Sequence, residues 1–351
     1  MSDRSKKFQN RGAQSNKKSL LVLIACCTAA VVVIAALVLM TLVGLGKARL
    51  ADSSVQAAQK LTIEYNEKTY RYNPDIVSFL FIGCDQENGR IAEGYNGQCD
   101  ALMLVGLNTV SSEVTLIAIP RDSWTEVRCF DPVTREDLGL RNQNLCLSFS
   151  YGEDNMQSGE LTCEAVSHLL CNIPLNFFYV LDMSGVAPLA DALDGIEVIA
   201  LQDVAEADIR EGDRVVLRGQ SALDYVWRRD IRDDYSPGKR LERQIQFAKT
   251  FANTALDKAK QDPFALANLL NTARTYSTTN IDVSEFAYMI SLVVSCNISN
   301  NNDLNKVGIR VVSVPGRQIA LHDHPTIFQV DKAETEQIVL NVFFIEEEKS
   351  S

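Results

Sequence analysis

The chain is 351 residues long, enough for one to three domains, and its 46% hydrophobic and 23% charged residues exclude a disordered or collagen-like protein. With 34 Lys and Arg against 45 Asp and Glu, a net charge of −11, it is no general nucleic-acid binder, since affinity for a polyanion comes from excess basic charge. The charge is uneven. Residues 1–46 hold six basic groups and one acid, which leaves the remainder with 28 basic and 44 acidic groups and a net of −16.

From Ser19 to Gly46 no residue is charged, and the run is almost wholly apolar. About 20 helical residues cross a bilayer core, so 19–46 is expected to be one transmembrane helix. All six basic groups precede it, which predicts a cytoplasmic tail over 1–18 and an extracytoplasmic remainder. A cleaved signal peptide fits less well: the run is too long and no A-x-A site follows it. Leu23-Ile24-Ala25-Cys26 resembles a lipoprotein box but lies too close to Lys18. Beyond Cys26 and Cys27 the chain has seven more cysteines, in a compartment that permits disulfides. Cys129 and Cys146, bracketing a polar loop, are the first pair expected. Without C-x-x-C and with three His, zinc is not expected.

Residues 47–75 read as a stalk, with helical character over Ala48–Leu61. The first buried strand is Ile76–Gly83, followed by a Gly- and Asn-rich loop, a strand at Ala101–Leu107, a hairpin at Asn108–Glu113 and a strand at Val114–Ile119. Thr162–Leu170 has helical spacing, Phe177–Leu181 is a strand, Val186–Leu193 a short helix and Ile196–Leu201 another strand. A long helix is expected from Lys239 to Ala259. The C-terminal third predicts a helix at Ser284–Val294, a strand at Gly308–Val314 and a helix at Ala333–Ile345. Strands alternating with helices predict an α/β fold: a single α-β-α layered domain over 76–347 with a central mixed sheet.

Three polar clusters sit where strands or helices end, the usual place for a site in an open α/β sheet. They are Asp100, the run Pro120-Arg121-Asp122-Ser123, and Trp227–Gln244. The last carries Arg228, Arg229, Arg232, Lys239, Arg240 and Arg243 within 18 residues of an otherwise acidic domain. Two Asp at adjacent strand ends suit a hard divalent cation, and nearby arginines suit phosphate oxygens. Arg240 and Arg243 share a helix face near its positive dipole end. Singly, each has an ordinary alternative: Asp100 as a turn or cap residue, Arg121-Asp122 as a solvated ion pair, the arginine cluster as a face balanced by Asp230, Asp233, Asp234 and Glu242.

In order, these motifs resemble the LytR-CpsA-Psr family. The resemblance is carried by Phe79–Gly83, Cys99–Val105, Ile119-Pro120-Arg121-Asp122-Ser123, Ser150-Tyr151-Gly152, Cys171-Asn172-Ile173-Pro174, Leu189–Val198, Leu217–Leu223 and Gly238-Lys239-Arg240-Leu241-Glu242-Arg243-Gln244. It covers about 76–258, leaving 259–347 as an extension.

The resemblance implies an extracytoplasmic transferase of Gram-positive bacteria. Such an enzyme moves a phosphoglycosyl group from a polyprenyl-pyrophosphate-linked glycan to a peptidoglycan hydroxyl, as in teichoic acid or capsule attachment. It implies Mg²⁺ (or Mn²⁺) on Asp100 and Asp122, phosphate binding by Arg121, Arg229, Arg240 and Arg243, a site role for Gln244, and an apolar slot for the polyprenyl chain. Two positions depart from the family pattern: Gln98 and Trp227 stand where it tends to have Arg, with Arg228 or Arg232 as substitutes for the second. A lipid binder or attenuator without turnover, or a hydrolase on the same site, remains the alternative.

Overall fold

The computed structural model describes residues 40–50, 61–85, 96–111, 113–228, 236–299, 309–321 and 324–347. The tail, most of the expected span and the cysteines at 26 and 27 lie outside these residues. Among the described residues no helix is long and apolar enough to cross a membrane.

The centre is a six-stranded mixed sheet in the order β11-β8-β3-β4-β5-β12. Its strands are β3 (Ile76–Asp85), β4 (Gln98–Asn108), β5 (Val114–Ala118), β8 (Phe178–Asp182), β11 (Ser277–Thr279) and β12 (Ile309–Ser313). The β3–β4–β5 meander is antiparallel, whereas β8 joins β3 and β12 joins β5 in parallel. β3 and β4 are nearly continuous apolar runs because both of their faces are covered. Leu80, Ile82, Leu102 and Leu104 turn to one face, under α2 (Asn155–Leu169) and α8 (Lys332–Phe343). Phe81 and Tyr179 turn to the other, where α3 (Val186–Ala192), α4 (Gly219–Trp227), α5 (Ser236–Gln261) and α6 (Pro263–Thr275) form a second core. On that same face, at the Val77 and Leu107 end of the sheet, α1 (residues 40–50) and α7 (Val283–Ser299) enclose a third. The expected layering, helices on both faces of a mixed sheet, is what the chain adopts.

Three differences from the sequence reading matter. Residues 62–72, inside the expected stalk, form the hairpin β1 (Thr62–Tyr65) and β2 (Lys68–Tyr72), turned at Asn66 and Glu67 in the left-handed region and completed by β15 (Phe344–Glu346). Tyr72 is buried against Phe343 and Phe344, so this segment belongs to the domain. Polar two-stranded hairpins escaped notice elsewhere too: β6 (Trp124–Phe130) with β7 (Asp137–Asn144), and β13 (Gly316–Leu321) with β14 (His324–Val330). Short β9 (Ile196–Ile199) pairs with β10 (Arg214–Leu217). Finally, Cys129 and Cys146 are both free thiols, correcting the expected disulfide. Cys129 Sγ bonds to the Val127 carbonyl and the Gln143 amide, while Cys146 lies against Arg121.

Candidate active site

The site lies at the end of the sheet where β4 begins and β3 and β5 end. Asp100 is not ahead of its strand but inside it, because antiparallel pairing extends as far as Asp85 with Gln98. The residue is 9% exposed, and its carboxylate is shared by two arginines. Arg121, in the turn after β5, pairs with Asp100 Oδ1 through Nη1 and places Nε 3.5 Å from Asp122 Oδ1. Arg240 Nη1 is 3.3 Å from the same Asp100 oxygen. One guanidinium thus bridges the two acids that were read as a pair from sequence. Asp122 is fixed in turn by its carbonyl, which accepts from Phe328 N at 2.7 Å.

Helix α5 supplies the rest. Its stripe at i, i+3, i+4, i+7, i+11 reads Arg240, Arg243, Gln244, Phe247 and Phe251, so one face changes from cationic to aromatic. Arg240, Arg243 and Gln244 are 5%, 3% and 5% exposed. Gln244 Nε2 bonds to the Asp100 carbonyl at 3.4 Å and the Val226 carbonyl at 3.1 Å, tying α5 to β4 and α4. Arg243 donates Nη2 to the Arg228 carbonyl and lies over the Tyr225 ring, 5.6 Å from its centroid. Its Nε and Nη1 have no hydrogen-bond partner among the described residues. Burial, with Arg240 adding and Tyr225 opposing, moves the Arg243 guanidinium below its usual value. Burial alone would lower Arg121 as well, but Cys146, Asp100 and Asp122 outweigh it and the net direction is up.

Of the residues expected from sequence, Asp100, Arg121, Asp122, Arg240, Arg243 and Gln244 come together. Arg228 stands at the edge: its Nε is 3.1 Å from Asp224 Oδ1 and its guanidinium covers the Trp227 ring at 4.8 Å, so Trp227 stacks on an arginine where an arginine was expected. Arg229 and Arg232 lie outside the described residues. Gln98, the other departure, accepts from Arg121 Nη2 at 2.6 Å. Sequence reasoning missed Asp224, Tyr225 and Cys146. The spacing of Asp224 and Arg228 at i, i+4 was the available signal for the first; nothing local marks the other two. Burial pushes the Cys99 thiol well up and raises Cys146 despite Arg121, so neither is a ready nucleophile.

The fold and site define an open α/β sheet with buried guanidinium groups converging on a carboxylate at one sheet end. Residues 42–342 match the LytR_cpsA_psr family, and the chain belongs to that family. It is 25% identical over 221 residues to the polyisoprenyl-teichoic acid–peptidoglycan teichoic acid transferase TagU of Enterococcus faecalis, covering 60% of this chain and 66% of that protein. It is 24% identical over 123 residues to TagU of Bacillus cereus, and there the match spans only 35% of this chain and 34% of the relative. The fold is similar to that of gbs0355 from Streptococcus agalactiae, with a TM-score of 0.60 at 18% identity over 76% of this chain and 86% of that one. It is also similar to TagT bound to LI-WTA, with a TM-score of 0.56 at 16% identity over 80% and 94% of the two chains.

Proposed function

We propose that this protein is a membrane-anchored, extracytoplasmic phosphotransferase that moves a glycopolymer from a polyprenyl-pyrophosphate carrier to peptidoglycan. The observation that carries the reading is Arg243: a buried guanidinium with two donor nitrogens, Nε and Nη1, unpartnered among the described residues is costly unless an anion meets them. A pyrophosphate supplies the charge, and Arg121, Arg240 and Arg243 are the groups that would clamp it. Along the same helix face, Phe247 and Phe251 stack on each other, near the stacked Phe81 and Tyr179 in the second core. These half-buried rings offer an apolar bed for the polyprenyl chain.

Among the described residues no three His, Cys, Asp or Glu side chains are grouped to hold a metal. Asp100 and Asp122 on one guanidinium nonetheless fit Mg²⁺, which characteristically takes one or two carboxylates and completes its shell with phosphate oxygens and water. Such an ion would neutralise charge on the pyrophosphate. The chain's own part is positioning: arginines hold the phosphoryl group, the acceptor hydroxyl oxygen attacks its phosphorus and gives up its proton to solvent, and the bond to polyprenyl phosphate breaks, releasing polyprenyl phosphate. Arginines fixed before reaction stabilise the charge that develops on the leaving phosphate.

The test uses the full-length protein in detergent with a polyprenyl-pyrophosphate oligosaccharide and peptidoglycan. Release of polyprenyl phosphate with glycan appearing on the acceptor, lost with chelator and in Asp122→Asn, supports transfer. Release without glycan on the acceptor points to hydrolysis. Tight lipid binding without release under any divalent ion leaves a binder.

A further inference from the structure

Helix α1 is built into the domain. Val43, Gly46 and Leu50 follow i, i+3, i+7 and face inward; Leu50 is fully buried in the cluster with Val77, Leu107, Val114, Ile281, Tyr288 and Met289. At Gly46 the backbones are so close that a Cβ would come within 2.0 Å of the Ser284 carbonyl oxygen. Arg49 forms an ion pair with Asp282, the same carboxylate that caps the start of α7 by accepting from Ser284 N at 2.7 Å and Glu285 N at 2.9 Å. A backbone contact, a buried leucine and an ion pair fix α1 on the first turn of α7.

Three large apolar side chains are exposed around this seat. Met40 is 71% exposed, Leu45 56%, and Val283, in the first turn of α7, 67%. Lys47, exposed, and Arg49 follow directly. Upstream, the chain continues into the uncharged run that begins at Ser19, so these side chains stand where that run enters the domain. Apolar residues edged by Lys and Arg are the pattern of the interface between lipid acyl chains and headgroups.

We propose that Met40, Leu45 and Val283 rest in the bilayer surface, and that the seating of α1 on α7 fixes the domain's orientation on the membrane. The contact lies at the Leu107 end of β4, whereas Asp100 is seven residues along the same strand, about 23 Å at 3.3 Å per residue. The catalytic end of the sheet is therefore held at the far end from the lipid contact, turned toward the wall rather than swinging on a free tether. This inference rests on the anchored reading given above.

The experiment reconstitutes the full chain in vesicles of phosphatidylglycerol and phosphatidylethanolamine, with a benzophenone amino acid replacing Val283 or, as control, Val133. Val133 is at the tip of the β6–β7 hairpin, which springs from the catalytic end of the sheet, and is 86% exposed. Lipid adducts on illumination at 283 and none above background at 133 are expected. Equal adduct formation at the two positions overturns the proposal. Gly46→Leu, which cannot seat α1, should lose the adduct at 283 while the protein resists carbonate extraction; an unchanged adduct overturns the fixed orientation. Release of the unsubstituted protein by carbonate would instead overturn the anchor itself.

Discussion

Arg240 reaches Asp100 across 140 residues of chain, its Nη1 3.3 Å from Oδ1, and so pins the first turns of α5 to the second strand of the central meander. Asp100 is shared by Arg240 and Arg121, so its single negative charge offsets the repulsion between two guanidinium groups brought together at the site. Removing one partner of a buried ion pair costs more than the pair contributes, because the other charge stays buried. Asp100→Asn should therefore destabilise the domain by about 3 kcal/mol. Urea unfolding followed by circular dichroism checks this; a midpoint unchanged from the parent would show the carboxylate to be dispensable to the fold.

Arg243 should behave in the opposite way. With no partner for Nε and Nη1 among the described residues, its burial opposes folding, so Arg243→Met is expected to raise stability by about 1 kcal/mol. Loss of charge-assisted bonds to phosphate should weaken pyrophosphate-lipid binding about 10- to 100-fold. Thermal unfolding and lipid titration on the same preparations separate the two effects. A variant that is both less stable and equally able to bind would refute the anion-binding role.

Acid sensitivity should come from the periphery. Asp131 is held below the usual 3.8 by the backbone N–H groups of Thr134 and Val133, Asp137 by the Gly139 N–H together with Arg128, and Asp194 by Lys258. A carboxylate lowered on folding stabilises the native state above its unfolded value and loses that contribution as pH falls through the folded one. Stability should thus hold down to the ordinary carboxylate range and decline below 3.8. Melting temperature against pH reads this directly, and a decline confined to higher pH would assign it to other groups.

Two glycines should respond with opposite signs to alanine. At Gly159, in α2, a Cβ would lie 2.4 Å from the Phe178 ring on β8, and overpacking of about 1–3 kcal/mol outweighs the smaller gain in helix propensity. At Gly44, in α1, nothing lies within 4 Å, so Gly44→Ala should stabilise the helix by up to about 1 kcal/mol. Chemical denaturation of each variant tests the pair; loss of stability in both would mean that α1 tolerates no added atom.

The sheet's interior and the composition of the site can be read in the order of residues alone. β3, β4 and β5 are legible because a strand covered on both faces must be apolar throughout, and that pattern is local. The arginines of α5 were legible because so much positive charge in so few residues of an acidic domain is an anomaly in any fold. Tertiary structure decided what those residues do to one another. The hairpin at 62–72 joins the sheet with β15, more than 270 residues downstream, a pairing that no local pattern specifies. Asp100 and Asp122 share Arg121, Arg243 has unmet donors among the described residues, and Gly46 presses on Ser284, because helices and strands distant in sequence are packed at fixed distances. Burial turns each of these from a side chain in a list of charges into a group whose partner, or lack of one, has a free-energy consequence.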